Sequence, residues 1–415
     1  MNRKRSLLII FLTVFIDLVG FGVVIPLHAY LAREFHADAL QVGLLMAIYS
    51  LMQFCFSPFW GQLSDKYGRR PIILMSLLGA SVSHVGFAFA TSYLGLFVAR
   101  FFAGVFGANI SAAMAYVADI SPPEKRSQSM GLIGAAIGMG FVFGPFIGGF
   151  FGDIGQQLGD MPPFGQSFGA VVAGGICLIN FIFAFFVLKE SRDPKLADQN
   201  RRPGLSARLS SLKNYLFGDD IRIPMWIYLF CMIAMGHMEV SMFLYVDDKF
   251  SWGLTEASYG FAYMGLVMVF TQGYFVRKLL PKWGERKLLK VSLIIYSLAL
   301  IGVAISPSIP VLGVFVTLLG IGIGLSNPTM TGSISLMAKP EEQGVVLGVT
   351  QSLAAMGRII GPALGSLYYR DISKEFPFLA GAALVFIGFL LVMKHSKKLP
   401  QSSLVIKDGN PSESV

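Results

Sequence analysis

The stretch that decides the fold is GQLSDKYGRRP, Gly61 to Pro71, a short charged turn caught between two apolar runs. Residues 40–61 before it and 71–90 after it are each long and apolar enough to cross a bilayer, since about 20 apolar residues span the ~30 Å hydrocarbon core. Working outward from this turn, twelve stretches qualify: 7–27, 40–61, 71–90, 94–118, 128–152, 167–188, 223–246, 257–279, 288–306, 310–333, 343–368 and 376–394. Many carry internal Gly and Pro, which membrane helices tolerate better than soluble ones. The pattern predicts an all-α membrane protein of twelve transmembrane helices.

Composition agrees. Of 415 residues, 54% are hydrophobic and 14% charged, against about 25% charged in soluble domains. A net charge of +9 could suggest nucleic acid. The basic residues, however, sit in short segments between apolar runs, which is how membrane topology is written, so no nucleic-acid partner is expected. Cys55, Cys177 and Cys231 each lie inside an apolar run without metal-ligand spacing, and the five histidines form no cluster. No metal site, disulfide or cofactor is expected. No P-loop or nucleophile–base pairing is visible, which argues against an enzyme and against ATP-driven pumping. Arg3, Lys4 and Arg5 precede the first run and no small-residue cleavage site follows it, so that run reads as a span.

The Lys and Arg residues also orient the chain. Twenty-seven of the 33 fall on the N-terminal side, 4 on the other (Arg33, Lys249, Arg370 and Lys374), and Arg100 and Arg358 lie within spans. Both termini are therefore expected in the cytoplasm of a multi-pass protein of the cell (inner) membrane. The longest polar piece, 189–222, holds eight basic residues and reads as a cytoplasmic linker, with a short amphipathic surface helix over 205–216 (LSARLSSLKNYL). This divides the chain into a six-helix bundle at 1–188, the linker, a second bundle at 223–395 and a polar tail at 396–415. The bundles echo one another. GQLSDKYGRR at 61–70 has a worn counterpart in GYFVRKLLPKWGERK at 273–287, FGPFIGG at 143–149 returns as IGPALGS at 360–366, and Asp17 finds Glu239 at an offset of 222. Duplicated halves of this kind are expected of transporters that rock about a central site.

Within the central turn, Gly61 lets helices approach and Asp65 can cap a helix start. Arg69 and Arg70 can reach carboxylates at neighbouring helix ends, Asp119 in YVADI first among them. Arg100, in VARFFAGVFGA with Gly104 one turn later, is an intramembrane charge that should face a cavity and a partner. The glycines of GFVFGPFIGG (Gly140, Gly144, Gly148 and Gly149) make a smooth face for close helix contact, and Pro145 bends the helix. Two carboxylates fall inside spans, Asp17 and Glu239. Desolvation favours the neutral form of a carboxyl, the condition for loading and releasing a proton under a physiological gradient. Glu239, Asp17 or both are expected to exchange protons in competition with substrate, or one of them links helices structurally. His237, two residues from Glu239, points to a nearly opposite face and is either a packing residue or a proton carrier. Arg358 either neutralises a carboxylate or attracts an anionic substrate. Gln53, Asn109, Asn327 and Gln351 are expected to offer cavity hydrogen bonds.

The central turn, in a twelve-span chain with a basic mid-chain loop, resembles the major facilitator superfamily, whose signature there is G-x-L-x-D-R-x-G-R-R; Lys66 replaces its usual Arg. The resemblance covers nearly the whole chain. It implies that Asp65, Arg69 and Asp119 latch the cytoplasmic side in the outward-open state, and that Arg100 lies near the central cavity and influences proton release. The helix-five glycines are similar to a motif of antiporters that expel their substrates. DLVGFGVVIP (17–26), YVADI and GPFIGG together look like the tetracycline/proton antiporter branch of the drug–proton antiporters. That branch carries an acidic residue in helix three where this chain has Ser83, next to His84. A small amphipathic or drug-like substrate other than tetracycline is therefore expected, exported by alternating access in exchange for protons, as in multidrug efflux and antibiotic resistance. The partners so implied are that small molecule, protons and membrane lipid, with the protein a monomer. The readings left beside it are a gradient-independent facilitator or importer of a metabolite, and a lipid-handling or sensor protein on the same fold.

Overall fold

The computed structural model describes residues 3–121, 123–159, 161–191, 205–218, 221–338, 343–396 and Leu399. Its long helices are α1 (Arg3–Glu34), α2 (Ala39–Tyr67), α3 (Arg69–Ala88), α4 (Tyr93–Phe106), α5 (Ile110–Ile120), α6 (Pro123–Leu158) and α7 (Phe168–Val187). They continue as α8 (Leu205–Phe217), α9 (Arg222–Phe250), α10 (Leu254–Phe270), α11 (Arg277–Ile305), α12 (Ile309–Met337), α13 (Gln343–Asp371) and α14 (Phe376–Lys394). Ten described stretches are long and apolar enough to span, and one of them, Leu254–Ile305, is 52 residues long and holds two spans. With the 36-residue α6, which carries the glycine motif, the twelve expected spans are accounted for.

The fourth span is broken. Between α4 and α5 the chain tightens into a 3₁₀ turn over Gly107–Asn109. Three carbonyls at this break are taken up by side chains of neighbouring helices. Trp60 Nε1 donates to the Val105 carbonyl at 2.6 Å, Ser76 Oγ to that of Phe106, and Gln53 Nε2 to that of Gly107 at 2.9 Å. In lipid every backbone polar group must find a partner inside the protein, and these side chains supply what the interrupted helix ladder does not. Gln53 thus serves the break of span four. The eighth span carries a related irregularity, a π-turn at Thr271–Val276 that carries α10 into α11.

The chain forms two compact units, Met1–Ser206 with Val246–Tyr263, and Ala207–Tyr245 with Met264–Val415. Inside each, the same packing recurs. In the first unit a Cβ on Gly140, Gly144 or Gly148 of α6 would strike Leu18, Gly22 or Val23 of α1 within 2.7 Å. In the second, a Cβ on Gly357, Gly361 or Gly365 of α13 would strike Met232, Gly236 or His237 of α9 within 2.8 Å, the Gly361 contact closest to Gly236 being 2.7 Å. Such backbone-to-backbone approach is open only to helices without side chains at the crossing. Ser81 Oγ donates to the Gly174 carbonyl at 2.8 Å, and Ser297 Oγ to that of Ala382 at 3.0 Å. The turns match as well. Gly68 (φ 99°, ψ 162°) and Gly284 (φ 68°, ψ 168°) adopt the same left-handed conformation, which favours glycine.

These contacts set the register of the repeat. Gly22 and Gly236 stand 214 residues apart, and on α1 and α9 that offset pairs Asp17 with Cys231. The 222-residue offset that matched Asp17 to Glu239 is thus about two helical turns out of register. Asp17 and Glu239 share an acidic character but not an equivalent place in the repeat.

Candidate functional site

The turn between α2 and α3 shows how a polar cluster is held at a helix junction. Arg69 Nη1 donates to Asp65 and, at 2.8 Å, to Ser64 Oγ, while its Nε donates to Asp119 Oδ2 at 3.0 Å. Asp65, Arg69 and Asp119 therefore meet as expected. The Gly61 carbonyl accepts from Ser64 Oγ at 2.8 Å. Arg70 donates to the Phe185 carbonyl at 2.6 Å and stacks over its ring. The expected cap differs. Asp65 lies inside α2, and the start of α3 is capped by Glu190, whose carboxylate accepts from the Arg69 N–H at 2.9 Å and the Arg70 N–H at 3.1 Å. An acidic group there satisfies N–H groups that no helical carbonyl reaches and complements the helix dipole. The carboxylate also crowds Gly68, where a Cβ would stand 2.5 Å from Glu190 Oε2. Ser191 Oγ completes the network with a bond to Asp119 at 3.2 Å. Only the acidic residue directly after the sixth span could have signalled this in the sequence. Glu190→Ala is expected to destabilise the protein by about 0.5–2 kcal/mol, the range for losing a helix cap. Thermal unfolding of the purified protein measures it, and an unchanged midpoint would mean that Glu190 does not hold this junction.

Deeper in the first unit, Arg100 is 2% exposed. Its guanidinium sits 4.3 Å from the Tyr49 ring centroid and 5.7 Å from that of Phe21, so aromatic faces meet part of the buried charge. His28 of α1 and His84 of α3, both buried, lie within electrostatic reach of Arg100. A Cβ on Gly20 would stand 2.7 Å from Cys177 Sγ and 3.9 Å from His84 Nε2, and Cys177 in turn lies within electrostatic reach of Asp17. Two sets of polar groups thus lie inside an apolar bundle, Arg100 with His28 and His84, and Asp17 with Cys177, with Gly20 next to both Cys177 and His84. Ser83 is buried and donates to the Gly79 carbonyl of its own helix at 2.7 Å. The histidine pair escaped the sequence reading because two isolated histidines on different spans carry no periodic signal. The Asn109 backbone forms part of the 3₁₀ turn, and its side chain lies outside the described residues.

The helix-five motif has two faces. Gly140, Gly144 and Gly148 pack on α1, with Pro145 buried among them, while a Cβ on Gly149 would strike Ser258 at 2.6 Å and one on Gly152 would strike Leu254. The same face carries Phe146 against Tyr259, with ring centroids 5.4 Å apart, and Asp153, whose Oδ1 accepts from Thr255 Oγ1 at 2.7 Å. Nearby, Arg33 at the end of α1 pairs with Asp247 and, at 3.0 Å, with Asp248, and Tyr30 donates to the Trp252 carbonyl at 2.9 Å.

In the second unit Glu239 is 5% exposed on α9. His237 is packed, its ring edge-to-face with Tyr368 at 5.6 Å and its backbone against Gly365. Arg358 is half-buried within electrostatic reach of Tyr228. Asn327 is half-buried, its carbonyl accepting from Thr331 Oγ1 at 2.7 Å, and Gln351 is exposed.

The family profile of the Major Facilitator Superfamily matches residues 10–362 and 278–409. The tetracycline resistance protein, class B, of Escherichia coli is 30% identical over 386 residues, covering 91% of this chain and 92% of that one. Multidrug resistance protein 2 of Bacillus subtilis (strain 168) is 30% identical over 409 residues, covering 96% and 97%. A bacterial homologue of the human lysosomal transporter Spinster, solved inward-facing and occupied, superposes with a TM-score of 0.75 at 15% identity over 99% of each chain. A match that runs over nearly the whole chain, on a fold shared with a solved transporter, makes this protein a member of the Major Facilitator Superfamily.

Proposed function

We propose that this protein is a proton-driven exporter of small amphipathic, drug-like molecules, working by alternating access in the inner membrane with both termini in the cytoplasm. Two six-span halves, 1–188 and 223–395, joined by the basic linker 189–222 and followed by the tail 396–415, alternate the exposure of a central site. The observation that carries this reading is the set of charged and titratable groups inside the span region of the first unit, where the buried Arg100 lies within electrostatic reach of His28 and His84, and the half-buried Asp17 within reach of Cys177. A charge held there costs at least ~2.5–3.5 kcal/mol on insertion scales and marks an ion or substrate pathway. Glu239 adds a buried carboxylate in the second unit. The names of the relatives, tetracycline and multidrug resistance proteins, support a drug-like cargo. Nothing in this reading calls for enzymatic chemistry, a cofactor or a nucleic acid, and one copy of the chain suffices.

Asp65, Arg69, Arg70, Asp119 and Glu190 form the inner latch of this cycle. The contacts of Arg33 with Asp247 and Asp248 and of Tyr30 with Trp252 form an outer latch that must part when the outer side opens. The test is uptake into inverted vesicles holding the reconstituted protein, with an imposed pH gradient and cationic dyes, tetracyclines and fluoroquinolones as cargo. Accumulation of at least one cargo that collapses when the gradient is dissipated is the expected result. Transport of a solute that ignores the gradient overturns proton coupling and promotes a facilitator.

A further inference from the structure

The linker helix α8 has 13 residues, too few to cross a bilayer, which takes about 20. Leu212 and Leu216 are buried, while Lys213, Asn214 and Phe217 are exposed. That division makes α8 a helix lying along a surface. Its C-terminal end is clamped to the start of α9: Trp226 Nε1 donates to the Leu216 carbonyl at 3.0 Å, and the Phe217 and Trp226 rings meet edge-to-face at 5.7 Å. Between these elements and α14 opens a groove of about 280 Å³, lined by Leu216, Phe217, Arg222, Trp226, Phe230 and Leu391 among others.

The level of this groove follows from the ends of the spans. The span of α9 begins at Arg222 and that of α14 ends at Lys394, one turn beyond Leu391. The mouth of the groove therefore lies at the boundary between headgroups and hydrocarbon, and Phe230, eight residues after Arg222, lies about 12 Å deeper along the helix at 1.5 Å per residue. Tryptophan at such a boundary, beside a basic residue, suits a lipid whose charged end stays at the interface. Phe217 remains 63% exposed beside the groove. The charges complement an anion: Arg222 lines the mouth itself, Lys213 lies one turn before Phe217, and Lys394 one turn after Leu391. Asp219 and Asp220 precede Arg222 outside the described residues, and residues 205–222 still carry three basic against two acidic side chains.

We propose that this groove is a binding site for an anionic phospholipid, with an acyl chain along Trp226, Phe230 and Leu391 and the phosphate on Arg222. The occupant is lipid because the groove opens where the membrane itself is the solvent. Its headgroup is anionic because the residue at the mouth is a guanidinium, which binds phosphate through paired N–H groups. The site rests on the membrane-spanning fold and not on the exporter reading, so transport can fail without touching it. A lipid there would couple the linker between the two halves to the composition of the surrounding leaflet.

The experiment is native mass spectrometry of the full chain released from detergent, with phosphatidylglycerol and phosphatidylcholine of identical acyl chains, and glycerol 3-phosphate as the free phosphate. Wild type is expected to retain one phosphatidylglycerol in preference to phosphatidylcholine by about fivefold, the scale set by one basic residue facing an anionic lipid. Arg222→Gln should erase that preference and Arg222→Lys should keep most of it. Leu391→Trp, which fills the groove, should lower retention of both lipids. Equal retention of the two lipids by wild type overturns the headgroup assignment. Tight retention of glycerol 3-phosphate makes it a site for free phosphate. Indifference to both Arg222→Gln and Leu391→Trp places the lipid elsewhere.

Discussion

Glu239→Gln is expected to reduce gradient-driven export to the level of vesicles without protein. The side chain is 5% exposed on a helix that spans the membrane, and a carboxylate is retained at such a site against a cost of at least ~2.5–3.5 kcal/mol. Glutamine keeps the size and most of the hydrogen-bonding capacity but can neither take up nor release a proton. The variant should therefore fold and bind cargo while losing its response to pH. On the proposed exchange, proton and cargo would compete in wild type, so apparent cargo affinity should fall as the pH is lowered; in Glu239→Gln that slope should vanish. Asp17→Asn, made in parallel, should weaken the gradient response without abolishing it. Full gradient-driven transport in Glu239→Gln together with its loss in Asp17→Asn would move the proton to α1. Wild-type behaviour in both variants would remove the two carboxylates from the coupling mechanism.

The second large effect concerns assembly. Gly144→Ala and Gly361→Ala are expected to destabilise the protein by about 1–3 kcal/mol each, the range for overpacking a well-packed interface. In Gly144→Ala the new methyl would stand 2.4 Å from the Cα of Gly22, and in Gly361→Ala 2.7 Å from the Cα of Gly236. The obstacle in both cases is backbone, which cannot rotate aside, so each helix pair must spread. Gly175→Ala is the control, since its Cβ meets nothing within 4 Å, and there the change should be neutral or stabilising by about 0.5–1 kcal/mol. Thermal unfolding of the three purified variants in one detergent decides it. Equal midpoints for all three would show that the glycines at the two crossings are not packing-limited. Because Gly361 lies outside the resemblance to the antiporter motif, a matched loss at both sites would assign Gly140, Gly144 and Gly148 to helix packing common to both halves. The export-specific part of the motif would then be confined to the face of Gly149 and Gly152.

The Arg69 network shows why some sites can be read ahead of the fold. Gly, Asp and Arg at fixed spacing around a turn restrict the local backbone so strongly that the meeting of Asp65, Arg69 and Asp119 was foreseeable. Glu190 was not, because it lies 121 residues from Arg69 and nothing in its own neighbourhood marks it as a cap. The same distinction separates Arg100 from its surroundings. A charge inside an apolar run announces itself, whereas Tyr49, His28 and His84 look like ordinary members of their helices until the bundle brings them together. Gln53 was readable as a polar group in a membrane, and its task at the break of span four was not.

The sequence by itself determined that this chain spans a membrane twelve times, that its halves repeat, and which turn carries the Asp65–Arg69–Asp119 network. Hydropathy and Lys/Arg placement are local properties, and the bilayer acts on each segment almost independently of the others. Only the tertiary structure decided the register of the repeat, pairing Gly22 with Gly236 and so separating Asp17 from Glu239 by about two turns. It alone placed Glu190 on the start of α3, and it alone joined α8 to α9 and α14 in a groove. Inside lipid the hydrophobic effect does not choose between helix faces. That choice falls to close packing of small residues and to single hydrogen bonds between distant segments, which no local pattern records.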